Sequence, residues 1–437
     1  MRLPILARML LALLAGSALA ATAVRAQPAL PDTMTFQQKS WPIDSAGAEP
    51  FLDESSVTVR AASESDWLRT PFGDNLLTHP DAWRASHERA NNVSLLFDYN
   101  RVDLVRYGAW YQVQRPESMY PRFGARLEYA TGRRRVLYGA QFEQPLLPTA
   151  RFVVGASMVR RTDHSDLQQT EDLENAAALL FARTDYRDYF EREGYGAYLS
   201  WRVPDFSTVS VHARRDQYRS LIASEHVKSL FRRHRELRAN PAIDEGEANS
   251  VLLRLERLTH RTERMRAGLY HWIEAERSGG DLGGDFEFTR VIADLRSVVR
   301  LSPAATLSLR GVAGATPSGA LPLQKQFTAG GVDGLRAHAQ GALRGEQIAL
   351  GQAEYTLGLW RVRTRGFEGG LHAIAFADAG AAWNDADHGY AVAKQKFAVD
   401  GGFGLATSED ELRVYFAKDL HRPDSDFVIS VRLQRPF

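Results

Sequence analysis

Between Gly351 and Leu359 the chain alternates without a break. Gly351, Ala353, Tyr355, Leu357 and Leu359 fall on one face, and Gln352, Glu354, Thr356 and Gly358 on the other. Successive side chains of an extended strand point to opposite faces, so a period of two reads as a strand. One apolar face against one polar face is what a strand needs with lipid outside and a polar lumen inside. The pattern recurs. Tyr195, Ala197, Leu199, Trp201 and Val203 oppose Gly196, Tyr198, Ser200 and Arg202; Ala305, Leu307 and Leu309 oppose Thr306, Ser308 and Arg310. After the N-terminal leader no apolar run reaches the roughly 18 residues of a helical span, which excludes a helical membrane protein.

Sixteen such segments can be parsed: 93–101, 105–114, 122–130, 133–144, 150–161, 192–203, 206–216, 248–258, 263–275, 286–298, 303–314, 347–360, 368–378, 397–406, 410–419 and 426–437. The fold class is therefore all-β, a transmembrane antiparallel β-barrel of about 16 strands. Loop lengths support the count. With both termini periplasmic, connections after odd strands are extracellular and should be the long ones. The long connections, 162–191, 217–247, 276–285, 315–346 and 379–396, all follow odd strands. Two of them carry helix-period apolar residues. Leu173, Ala177, Leu180 and Phe181 mark 167–190, and Val227, Leu230, Phe231 and His234 mark 225–238. Either could form a lid or partner surface, or fold to bury its own apolar face.

The N-terminus reads as an export signal. Arg2 and Arg8 flank a short apolar core, Met9 to Ala20, followed by small residues suited to cleavage after Ala26, with Ala20 the alternative. Three regions are expected: a signal peptide at 1–26, an irregular proline-rich extension at 27–91, and the barrel at 92–437. The absence of cysteine removes disulfides, thiolate metal sites and thiol nucleophiles. With 54 basic and 53 acidic residues the net charge is +1, which gives no basic excess for a nucleic-acid partner. Mean hydropathy is −0.32. In a barrel, lipid-facing and lumen-facing residues cancel to such an average.

Two segments stand out beyond the alternation. In 315–346 the pair Gly330-Gly331 precedes Leu335-Arg336. In 368–378 and just beyond it, Phe376, Asp378 and Gly380 share the face of His372. An arginine on a long loop and an aspartate on an inward face are natural partners, since inside a barrel each would otherwise be a poorly solvated charge. Glu354, on the inward face of the neighbouring strand, can join them. The last segment carries Phe427, Ile429, Val431 and Leu433 on one face and ends in an aromatic residue, Phe437.

These segments resemble the BamA/TamA superfamily of outer-membrane assembly and secretion barrels, the bacterial surface antigen family. There a loop with Gly-Gly and a Val/Leu-Arg-Gly-aromatic tip folds into the lumen, and its arginine meets a Phe-x-Asp-x-Gly strand. Gly330, Gly331, Leu335 and Arg336 match the loop; Phe376, Asp378 and Gly380 match the strand; Ala337 and His338 stand where the family carries glycine and an aromatic. The resemblance implies a loop between strands 11 and 12 folded inward and pinned by Arg336 and Asp378. It also implies Phe437 as a sorting signal, a loosely sealed seam between first and last strands, and residence in the outer membrane of a Gram-negative bacterium. Larger members carry periplasmic polypeptide-transport-associated domains, for which 27–91 shows no amphipathic pattern.

Searches for chemistry return little. There is no Gly-x-Ser-x-Gly elbow, His-Glu-x-x-His pair or phosphate-binding glycine loop, so neither catalysis nor a cofactor is expected. His226 and His234 make a poor ligand pair, and the Asp281–Asp285 stretch reads as a solvated turn, so no metal site is assigned. The resemblance implies partners: membrane lipids, unfolded outer-membrane or secreted polypeptides as clients, and a separate periplasmic protein. The expected function is outer-membrane protein assembly or polypeptide translocation; the alternative is a passive channel or surface antigen without insertase activity.

Overall fold

Sixteen strands form one sheet in chain order, each antiparallel to its neighbours. They are β1 (Asn91–Asn100), β2 (Leu104–Val113), β3 (Arg122–Ala130), β4 (Arg135–Pro145), β5 (Phe152–His164), β6 (Tyr189–Arg202), β7 (Thr208–Ser220) and β8 (Gly246–Arg257). The second half comprises β9 (Gly268–Ser278), β10 (Phe288–Ser302), β11 (Ala305–Gly319), β12 (Gln347–Thr364), β13 (Phe367–Trp383), β14 (Ala398–Thr407), β15 (Arg413–Asp419) and β16 (Val428–Arg432). The computed structural model describes residues 91–113, 120–146, 152–203, 207–231, 236–257, 268–364, 367–384, 392–407, 412–422 and 424–433. The chain divides into Met1–Thr58 and Val59–Phe437, and every described residue belongs to the second unit. The signal peptide, most of the 27–91 extension and Phe437 thus lie outside the described residues.

The fold is a transmembrane antiparallel β-barrel, and the alternation sorts its two faces. On β12, Tyr355, Leu357 and Leu359 are exposed to the surroundings while Gln352 and Glu354 are buried. On β6, Tyr195, Leu199 and Trp201 face out while Tyr198 and Ser200 face in. Aromatic residues gather at the periplasmic strand ends, with Tyr111, Phe123, Phe142, Trp201 and Trp360 all outward, as at a membrane interface. A register shift between Gly358 and Trp360 turns both Leu359 and Trp360 outward, which strict alternation forbids.

The lumen is packed. Arg101, Arg106, Arg187, Arg336, Arg413 and Arg432 are among its most buried side chains, each matched to carboxylates or backbone carbonyls. An apolar cluster contributed by β9 to β12 and the inward loop (Trp272, Ile292, Val312, Phe327, Leu335, Ile348) fills the space between them.

The β5–β6 connection contains a helix, α1 (Asp172–Ala182), where the sequence placed helical period. Asp172 and Glu174 lie in its first turn, where the helix dipole favours negative charge. Arg183 ends it in the left-handed conformation (φ 52°), its N–H bonded to Leu179 O at 3.1 Å and Thr184 N–H to Ala178 O at 3.2 Å. The buried side is not the apolar one. Asp172, Glu174, Asn175 and Leu179 are buried, whereas Leu173, Leu180 and Phe181 are exposed. Ion pairing to the lumenal arginines overrides apolar burial here: Asp172 pairs with Arg187 and Glu174 with Arg432. The second expected helix is absent among the described residues of 225–238. That stretch instead forms an irregular segment against α1, with Leu230 N–H on Leu180 O (2.7 Å) and Ser229 Oγ–H on Leu179 O (2.8 Å).

The absence of cysteine makes the topology directly testable. In an otherwise cysteine-free chain, Asp281→Cys in the β9–β10 loop should react with a membrane-impermeant maleimide on intact cells. Ala304→Cys in the β10–β11 turn should react only after the outer membrane is permeabilised. Equal labelling of both on intact cells would overturn the strand parity.

Candidate lumenal pinning site

The β11–β12 connection, 320–346, folds inward. A two-residue ribbon, Phe327–Thr328 against Arg344–Gly345, closes its neck. Beyond it Gly330 bridges Leu335, and tight turns bond Gly334 N–H to Gly331 O (3.0 Å) and His338 N–H to Leu335 O (3.1 Å). Gly331 has φ +105°, and a Cβ there would fall 1.9 Å from Gln340 Oε1, so only glycine fits. A Cβ on Gly330 would meet Ala339 O at 2.3 Å. Leu335 is wholly buried in the apolar cluster and anchors the tip from one side. Ala337 is not among the described non-glycine residues of positive φ, so alanine fits without strain where the resembled family has glycine.

Arg336 supplies the polar anchor. Its Nη1 donates to Glu354 Oε2 on β12 at 3.0 Å, and its Nε lies 3.1 Å from Asp378 Oδ2 on β13. The guanidinium carbon sits 4.1 Å from the Phe376 ring centroid and 4.8 Å from that of Tyr415 on β15. Planar, weakly hydrated guanidinium suits a site walled by carboxylates and aromatic faces. Burial pushes its pKa down, but the carboxylates of Asp378 and Glu354 outweigh that and hold it above the ordinary value. Glu354 also accepts from Arg413 and, at 3.0 Å, from the Tyr415 hydroxyl. Gly402 on β14 makes room for the Phe376 ring, since a Cβ there would lie 2.8 Å from Phe376 Cζ. Gly380 is similarly close, with a virtual Cβ 2.9 Å from Leu350 Cδ1.

The structure thus brings Arg336, Glu354, Phe376 and Asp378 together, with Leu335 anchored beside them. It adds residues the sequence reading had not singled out. Arg310 on β11 donates to Asp333 O (2.8 Å) and Gln352 to Gly334 O (2.8 Å). Arg432 on β16 donates to Val332 O (2.9 Å) and Asp333 Oδ1 (3.1 Å). The Ala337 N–H reaches Asp400 Oδ2 on β14 at 2.7 Å. From above, Asp333 Oδ2 accepts the N–H groups of Gln169 (2.9 Å) and Thr170 (3.0 Å) and the Thr170 hydroxyl (2.8 Å). Consecutive loop residues from Val332 to Ala337 are therefore held by groups from five wall strands, with Leu335 held by packing. Parity already placed Arg310, Gln352 and Arg432 on inward faces; the loop contact was the part it could not supply.

The profile of the Omp85 superfamily domain matches residues 122–427. The chain belongs to the Omp85 superfamily. Among solved structures, this Omp85 barrel is similar to BamA from Haemophilus ducreyi lacking POTRA domains 1–3. The identity is 13%, coverage is 78% of this chain and 70% of that one, and the TM-score is 0.53. CdiB from Escherichia coli (11% identity, 78% and 62% covered, TM-score 0.44) and CdiB from Acinetobacter baumannii (13%, 79% and 60%, 0.42) are more distant matches. At these identities the likeness concerns the fold. By sequence, no curated protein matches. Family and fold together place the chain in the Gram-negative outer membrane, as a barrel of the assembly and translocation type.

Arg336→Ala leaves the buried Asp378 without its guanidinium, while Glu354 keeps Arg413 and the Tyr415 hydroxyl. Removing one partner of a buried ion pair costs about 3–5 kcal/mol, and the loss should appear locally as release of the loop. Proteinase K added to intact cells should then cut within 320–345, where the parent protein resists. Identical digestion patterns for the two would remove the pinning role.

Proposed function

We propose that this Omp85 barrel assembles outer-membrane proteins or passes polypeptides across the outer membrane, with unfolded polypeptides as clients. Membrane lipids surround it, and a separate periplasmic protein delivers the client. The reading is supported above all by one observation: Arg336 is buried between Glu354 and Asp378, so a lumen-filling loop is fastened to the wall at its tip. A barrel whose interior is occupied by a fastened loop and by the polar side of α1 offers little room for passive diffusion. Its action is positional rather than catalytic: it holds an edge or a path open for a chain that folds elsewhere.

The strand edges favour the same reading. Among the described residues no ladder joins β1 to β16, and β16 pairs only with β15. Unpaired strand edges are templates for strand addition. Here both edge strands are tied by loop and side-chain contacts instead. Helix α1 lies against β1, Tyr99 of β1 exchanges 2.8 Å hydrogen bonds with Lys228, and Glu174 of α1 pairs with Arg432 of β16. A client strand that adds to either edge meets a seam held by side chains rather than by a full backbone ladder.

Quantitative proteomics of outer membranes after deletion of the gene tests the assignment. A defined subset of barrel or secreted proteins should fall and recover on complementation. An unchanged proteome, together with planar-bilayer conductance of the purified protein that rises in Arg336→Ala, would instead favour the passive channel.

A further inference from the structure

Three aspartates stand side by side on the inward face. Asp378 of β13 is the register partner of Asp400 on β14, which is in turn the partner of Asp419 on β15. Like charges directly opposite one another across a sheet repel. Asp378 is matched by Arg336. The other two face His338 of the loop, whose Nδ1 lies 3.0 Å from Asp400 Oδ1 and whose Nε2 lies 3.8 Å from Asp419 Oδ2. Arg422 also approaches Asp419, at 3.8 Å, but its side chain is 83% exposed and solvent screens it. Asp400 is wholly buried; its Oδ2 accepts the Ala337 N–H and lies 3.3 Å from His338 Nδ1, while its Oδ1 points at the imidazole without an aligned hydrogen bond. One donor atom from each of His338, Asp400 and Asp419 lies within 4.8 Å of the other two.

We propose that His338, Asp400 and Asp419 form a divalent transition-metal site that fastens the tip of the lumenal loop to the β14–β15 wall. One imidazole nitrogen with two carboxylates is a donor set for zinc or manganese, whereas calcium takes oxygen ligands and more of them. Donors about 2.0–2.2 Å from a tetrahedral ion stand roughly 3.3–3.6 Å apart. The His338–Asp400 pair, 3.0 Å apart at Nδ1, is close to that spacing; Asp419, whose Oδ2 now approaches the other ring nitrogen, brings an oxygen in from within 4.8 Å of the other donors when its side chain swings to the Nδ1 side. The ion replaces the imidazole proton and brings two positive charges to carboxylates that otherwise share an imidazole. It takes up Asp400 Oδ1 as a ligand. Asp400 lies near the start of β14 and Asp419 ends β15, so both sit at the extracellular strand ends. The side chains of His338 and Asp419 are partly exposed there, which gives an ion a route from outside and leaves positions for water.

The site differs from the Arg336 pin in what it responds to. Arg336 holds the loop whatever the medium, while the metal adds a second fastening whose strength follows the free ion concentration outside the cell. Nothing in the inference depends on polypeptide transport.

Titration calorimetry of the tag-free full-length protein in detergent micelles, stripped with EDTA, provides the test. Zinc chloride should bind one equivalent with a Kd on the order of micromolar or tighter, with manganese chloride weaker, in line with the usual metal order. His338→Ala and Asp419→Asn should each weaken zinc binding by roughly tenfold or more while keeping the heat-modifiable migration of a folded barrel. Should one variant fail to fold, the other carries the comparison. Zinc binding of equal affinity in the parent and a folded variant would overturn the site, as would no stoichiometric binding of either metal to the folded parent.

Discussion

A guanidinium taken out of water loses several kcal/mol of hydration unless its surroundings replace it. At Arg336 they do, through a carboxylate on each of two adjacent strands and aromatic faces on two. The loop's position depends on that replacement. Leu335, one residue earlier, is buried in apolar contacts, so the tip is held by two kinds of force from opposite sides. Neither is sufficient alone: apolar contact is non-directional, and a lone ion pair could form with the loop in several poses. Together they fix one pose, and the backbone bonds from Arg310, Gln352 and Arg432 follow from it.

The same logic organises the rest of the lumen. Because lipid requires an apolar outer face, every second residue of each strand turns inward, and those residues are rich in arginine, aspartate and glutamate. Buried charges persist only when paired, so connections that carry complementary groups are drawn in. Helix α1 shows the consequence most clearly. Leu173, Leu180 and Phe181 stay outside, Leu179 goes in, and the acidic first turn goes to Arg187 and Arg432, against the usual amphipathic rule. Arg432 then links the last strand, the lumenal loop and α1 in one cluster. A barrel without a first-to-last ladder among its described residues thereby gains a side-chain fastening near its seam.

Much of this was legible in the sequence because period two is unambiguous when one face must be apolar. Tyr355, Leu357 and Leu359 declared β12 and its outward face; loop lengths declared its direction. Parity put Asp378 and Glu354 on inward faces, and the resemblance of the loop and strand segments to the family implied the pairing of Asp378 with Arg336. The orientation of α1 was not legible, since helical spacing of Leu173, Leu180 and Phe181 marks an apolar face without saying whether that face meets the core. Nor was the irregular path of 224–231, whose bonds to Leu180 O (from the Leu230 N–H) and Leu179 O (from the Ser229 hydroxyl) are long-range and leave no periodic trace. The row Asp378, Asp400, Asp419 depends on strand register, which alternation alone leaves open by steps of two residues.

A double-mutant cycle addresses the central contact directly. Urea unfolding of the refolded barrel would be compared for the parent, Arg336→Ala, Asp378→Ala and the double variant. Contacting residues couple by about 0.5–3 kcal/mol, and a buried charge pair belongs in the upper part of that range, so the double variant should lose clearly less than the sum of the singles. Additivity to within roughly 0.5 kcal/mol would mean that Arg336 and Asp378 do not act on one another, and the lumenal loop would have to be held by something else.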